Sequence, residues 1–164
     1  MAISWIESSG IGIYYENSGY SGPEIEPGLY GERKMPLVEW TEELVVGVPA
    51  IDNAHHEFVD LLNALSTAPE EKFYELFVRL MKHSQEHFAE EERMMERSAF
   101  PVMDVHKAEH ERVLKELEEV RKQLEEGEFE AAREYVTEQL SAWFVLHRNT
   151  MDYVTAVHIQ RTLG

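Results

Sequence analysis

Residues 73–95 read FYELFVRLMKHSQEHFAEEERMM. Within them Phe73, Phe77, Leu80, Ser84, His87, Glu91 and Met94 follow one another at alternating steps of four and three. That spacing marks one face of an amphipathic helix, the face that packs into a core. The face is unusual in carrying His87 and Glu91, one turn apart, among apolar residues. A helix that turns a histidine and a carboxylate inward needs partners for them on its neighbours.

Three further segments show the same periodicity on either side. One runs from about Ile51 to Leu65, with the stripe Ile51, His55, Phe58, Leu62 and Leu65. The quoted helix runs from about Pro69 to Arg97, with Thr67 to Glu70 supplying its cap and an N1 proline. Ser98-Ala99-Phe100-Pro101 breaks it. A third runs from about Asp104, which suits an N-cap, to Glu126, where Gly127 ends it. Its stripe is His106, His110, Val113, Leu117, Val120 and Leu124. A fourth runs from about Phe129 to His158 or beyond, with the stripe Leu140, Trp143, His147, Met151 and Val154. Short connections between four amphipathic helices predict an all-α, antiparallel up-down-up-down four-helix bundle over residues 36–164. Residues 1–35 hold six of the nine glycines and no histidine. They read as an N-terminal extension, flexible or a small β-like segment.

Composition narrows the chemistry. The chain has 164 residues, 15 Lys+Arg against 32 Asp+Glu, and no cysteine. The absence of cysteine excludes disulfides, thiolate zinc, iron–sulfur clusters and a cysteine nucleophile. A formal charge of −17 argues against binding nucleic-acid backbones or anionic membranes. With no apolar run long enough for a membrane span and no signal-peptide pattern, the expectation is a cytoplasmic monomer or weak oligomer.

The histidines carry the functional signal. In an antiparallel bundle the start of the first helix, the end of the second, the start of the third and the end of the fourth share one end. His55, His87, Glu91, His106, His110 and His147 all fall there. A buried, unpaired imidazole costs about 1–3 kcal/mol, and one metal ion satisfies several at once. Asp152 follows His147 by five residues, about 140° round a regular helix. It joins the site by reaching across a seam, or if a π-type bulge turns it inward. Five histidines and two carboxylates exceed the four ligands of a structural zinc ion and suit two bridged ions, with iron favoured by the donor set. None of the eight histidines has a glutamate three residues before it, unlike the Glu-x-x-His motifs of carboxylate-rich di-iron bundles.

At these residues the chain resembles the hemerythrin family, in its single-domain bacteriohemerythrin form. The motifs are Val46-Gly47-Val48 through Ile51-Asp52-x-x-His55, then His87-Phe88-x-x-Glu91-Glu92-x-x-Met95. Phe100-Pro101, His106-Lys107-x-x-His110 and Trp143-x-x-x-His147-x-x-x-x-Asp152 follow. The resemblance implies two non-heme iron ions bridged by an oxo or hydroxo group, with O2 as ligand. By motif position His106, His110 and His147 hold one iron and His55 and His87 the other, with Glu91 and Asp152 as bridges. Reversible O2 binding for storage, transport or delivery follows, without enzymatic turnover. An O2, NO or iron sensor, or a peroxidase-like protein, is the alternative use of such a site. Trp143 and Phe144 are expected to wall the O2 pocket, and Phe144 stands where the family often has a smaller aliphatic residue. His56 is expected to face solvent, and Glu90 and Glu92 to point outward. His83 is expected at the helix surface or behind the ligands, and His158 as a polar residue at the bundle end.

Overall fold

The computed structural model describes residues 35–164, so the expected extension lies outside the described residues except for Met35. Three regular helices come first: α1 over Pro49–Thr67, α2 over Glu70–Arg97 and α3 over Met103–Glu125. Pro69 is the N-cap of α2, one position before the N1 place expected for it, and Asp104 lies inside the first turn of α3. The C-terminal ends of α2 and α3, at opposite ends of the bundle, close alike. After α2, Ala99 N–H reaches Glu96 O at 3.1 Å and Phe100 N–H reaches Met95 O at 2.9 Å. After α3, Gly127 N–H reaches Leu124 O at 3.1 Å and Glu128 N–H reaches Gln123 O at 2.9 Å. Such closure requires a left-handed residue. Gly127 adopts φ +90° freely, whereas Ala99 adopts φ +51° against its Cβ.

The fourth rod, residues 129–163, alternates two geometries. It comprises α4 over Phe129–Glu134, a π segment over Tyr135–Leu140, α5 over Ser141–His147, a π segment over Arg148–Asp152 and α6 over Tyr153–Leu163. Ser141 N–H bonds to Val136 O and Tyr153 N–H to Arg148 O, each five residues back. Each π segment holds one residue more than a regular turn. The inward face therefore slips. Leu140, Phe144, His147, Arg148, Asp152, Thr155, Ala156 and Ile159 are buried. Trp143 and Met151 are only half-buried and Val154 is 52% exposed, correcting the uniform stripe read from sequence. No strand occurs among the described residues, and no described helix is long and apolar enough to cross a membrane.

Two apolar clusters fill the bundle. The larger includes Phe58, Leu62, Phe77, Leu80, Val113, Leu117, Leu140 and Phe144. The smaller holds Val46, Val48, Ile51, Met94, Ala156 and Ile159. On α1, α2 and the fourth rod the polar residues singled out above fall between members of the two clusters. The segment before α1, with a 3-10 turn over Glu42–Leu44, reinforces both, through Val38 and Leu44 in the larger cluster and Val46 and Val48 in the smaller. Asn63 pairs with both backbone groups of Val38, at 3.0 and 2.9 Å. Arg148, buried in the second π segment, donates to Leu44 O at 3.0 Å and Val45 O at 2.6 Å. Asp52 accepts from Val46 N–H at 2.6 Å and Gly47 N–H at 3.0 Å.

Candidate metal centre

The six residues placed at one end by helix register do meet there, and Asp152 joins them. The second π segment turns Asp152 inward. Its Oδ1 lies 3.1 Å from His106 Nε2 and 3.0 Å from His147 Nε2, and its Oδ2 lies 3.0 Å from His55 Nε2. Glu91, on α2, faces the same space from the other side. Its Oε2 is 3.7 Å from His87 Nε2 and 3.6 Å from His110 Nε2, and its Oε1 is 3.9 Å from His106 Nε2. The rings of His55 and His87 stand edge to face, 5.1 Å apart. His106 Nε2 and His147 Nε2 face each other at 3.0 Å, and His147 Nε2 and His110 Nε2 at 3.3 Å.

These donors converge but satisfy one another only in part. Both ring nitrogens of His55, both oxygens of Glu91, Nδ1 of His110 and of His147, and Oδ1 of Asp152 are buried without a hydrogen bond. Each such atom carries a desolvation cost of about 1–3 kcal/mol unless something else engages it. His106, His110, His147 and Asp152 offer ligand atoms that all lie within 4.8 Å of one another, close enough to surround one cation. His55 and His87 lie beside that group and share its carboxylates.

The electrostatics agree. Burial, helped by neighbouring His55, holds His87 down at about 3. Burial, helped by His106 and His147, holds His110 down at about 2. Both imidazoles are therefore neutral at physiological pH, with a lone pair free to bind metal. Burial, then Asp152, raises Glu91 well above the usual carboxylate range. Burial would raise Asp152 too, but His106, His147 and His55 outweigh it and hold it low. Two carboxylates in one dry cavity cannot both ionise cheaply without cations between them. The donor set fits metal ions, and imidazole with carboxylate suits iron.

A supporting layer surrounds the donors. Trp143 stacks on His147 at 4.7 Å, and its indole N–H donates to Glu109 Oε1 at 2.8 Å. The hydrogen bond from Arg112 lowers Glu109 to about 2, so that acceptor stays ionised. Phe144 stands instead beside His55, edge-on at 5.4 Å, and packs on Phe58 at 5.1 Å. The two expected pocket walls thus flank opposite histidine groups. Glu92 does not point outward: it is half-buried, 3.7 Å from His110 Nδ1 and 3.1 Å from Lys107 Nζ. His83 ties α2 to α1 through Ala54 O at 2.9 Å and stacks behind His87 at 6.4 Å. His56 is exposed and lies against Trp40, 4.9 Å between centroids. His158 meets Ser98 O at 2.8 Å near the bundle end. Sequence reading missed Thr155 and Arg148. Counting steps of three and four onward from Asp152, rather than His147, would have found Thr155, Ala156 and Ile159.

An all-helical bundle that collects five imidazoles and two carboxylates between apolar clusters defines a metal-binding protein of the hemerythrin type. A family model described as Hemerythrin HHE cation binding domain matches residues 46–155, and the chain belongs to the hemerythrin family. It is similar to the bacteriohemerythrin of Ralstonia nicotianae, 39% identical over 118 residues, covering 72% of this chain and 85% of that one. The bacteriohemerythrin of Stenotrophomonas maltophilia is 29% identical over 134 residues, covering 79% and 86%. Among solved structures, a hemerythrin with a leucine-to-alanine mutation superposes with a TM-score of 0.66 at 22% identity, covering 76% of this chain and 98% of that one. That last likeness bears on the fold.

Proposed function

We propose that this chain binds two iron ions and takes up O2 reversibly for storage, transport or delivery. His106, His110 and His147 would hold one iron, His55 and His87 the other, with Glu91 and Asp152 shared. One observation carries the reading: each carboxylate spans both histidine groups. Asp152 touches His55 with one oxygen and His106 and His147 with the other, and Glu91 lies between His87 and His110. The iron pair, when bound, supplies the electrons that make O2 binding possible.

The chain's own residues do the rest. Neutral imidazoles donate less negative charge than carboxylates, which favours holding O2 over cleaving it. Phe58 and Phe144 close the two-histidine side with apolar surface, so water is kept from the place where O2 would sit. The buried Glu91 and Asp152 balance the charge of the metals inside a cavity that bulk solvent does not reach.

The test is iron analysis with an optical spectrum through one cycle of anaerobic reduction, air and deoxygenation. Two irons per chain, with a charge-transfer band that comes with air and leaves on deoxygenation, is the expected result. Two irons that oxidise once and never cycle would overturn reversible binding in favour of a sensor or redox role. A chain without iron affinity would overturn the metal assignment itself.

A further inference from the structure

A buried hydroxyl stands directly behind one histidine of the centre. Thr155 has no solvent exposure, and its Oγ1 lies 2.9 Å from His106 Nδ1. His106 Nε2 points the other way, toward Asp152 Oδ1 at 3.1 Å and His147 Nε2 at 3.0 Å. A ring nitrogen that binds a metal carries no proton, so the ring proton of a neutral His106 belongs on Nδ1. There it donates to Thr155 Oγ1, while the hydroxyl's own proton faces Met95 Sδ at 4.0 Å. By contrast Nδ1 of His55, of His110 and of His147 is buried without any hydrogen bond. Thr155 reaches this place for the same reason Asp152 does: the second π segment rotates residues 152 and 155 onto the inner face and leaves Val154 outside.

We propose that Thr155 is a positioning residue that fixes the tautomer and rotation of His106. The three-histidine group thereby holds its metal more tightly than the His55–His87 pair and gives it up last. This rests on the metal-centre reading above. The geometry supports the ranking independently of Thr155, because His106, His110, His147 and Asp152 already crowd their donor atoms within 4.8 Å. A hydrogen bond to the second ring nitrogen fixes a ligand's orientation and raises its basicity, and losing it typically costs 10–100-fold in metal affinity.

The experiment loads the full-length chain with Zn2+ and withdraws the metal with a graded chelator. Wild type is expected to release two ions in two separated steps. Thr155→Val keeps the side chain's shape and removes its hydroxyl. It should weaken the later, tighter step by about 10–100-fold and leave the earlier step in place. Thr155→Ser should restore the tighter step. Nitrogen-15 NMR of the zinc-loaded protein should report His106 as the Nδ1–H tautomer, with that signature altered in Thr155→Val and recovered in Thr155→Ser. Unchanged steps in Thr155→Val would overturn the inference, as would equal weakening of both steps with no rescue by serine, the mark of a packing defect. Wild-type chain that retains no zinc would instead overturn the metal-centre reading on which it stands.

Discussion

His87 and Glu91 are four residues apart on α2, and a regular helix suffices to aim both inward. His147 and Asp152 are five apart on the fourth rod, and there the backbone departs from α geometry to achieve the same end. Three helices thus supply ligands by periodicity alone, while the fourth supplies them through an inserted residue. The difference teaches that spacing between ligands is not a fixed code. What matters is the rotation the backbone makes between them, and the π segment absorbs one residue without turning Asp152 away.

Paired deletions test this contrast most severely. Removing the exposed Ala89 shifts Glu91 by about 100° relative to His87. We expect complete loss of bound metal and a large drop in stability. Removing the exposed Thr150 places Asp152 four residues after His147, the spacing a regular turn accommodates, and both metals should be retained. Metal analysis and circular dichroism of the two proteins decide the matter. If both deletions empty the site, the π segment has a role beyond absorbing a residue. The regular side has its own single-residue check. His55→Ala should lose iron, whereas His56→Ala should keep both the iron content and the optical spectrum.

Acidification comes next in size. His87 and His110 lie below their ordinary value in the folded chain, at about 3 and about 2. Unfolding lets both take up protons, so the stability of the metal-free protein is full above about pH 6.5 and falls as pH drops toward 3. Glu91, held above its ordinary value in the folded chain, opposes this in sign. The two histidines outnumber it, so a net loss of stability is expected as pH falls from 6 to 5, read by denaturant titration. Stability that rose on acidification would show that the carboxyl group dominates.

Two smaller effects sharpen the comparison at its edges. Arg148→Met removes the donors for Leu44 O and Val45 O beside the π segment, at an expected cost of about 1–3 kcal/mol. Ala99→Gly relieves the left-handed residue that closes α2, where α3 uses Gly127. It should raise stability by up to about 1 kcal/mol, seen as a higher melting temperature.

The regular helices were legible from sequence nearly to the residue. Every position in the stripes of the first and third helices is buried, and the second departs only at His87, whose side chain is 7% exposed. There the apolar period and the histidine period are one signal. On the fourth rod the two signals diverge by one residue after His147, and a rule that assumes 3.6 residues per turn carried Met151 and Val154 inward instead of Asp152 and Thr155. The angular misfit of Asp152 on a regular helix was itself the trace of the π segment. Glu92 was misread for another reason. Its position on α2 points away from the seam, yet its side chain reaches back along the α2–α3 groove to His110 and Lys107.

The arm before α1 carries a consequence for exchange with solvent. Val46 and Gly47 lie outside any helix, but their amide protons are held by the two oxygens of Asp52, three residues before His55. In heavy water these two amides should exchange slowly, next to the 3-10 turn at Glu42–Leu44. They can do so only while α1 keeps its first turn. Their exchange rate would therefore serve as a local clock for fraying at the very end of the bundle where His55 stands, readable without any signal from the metals.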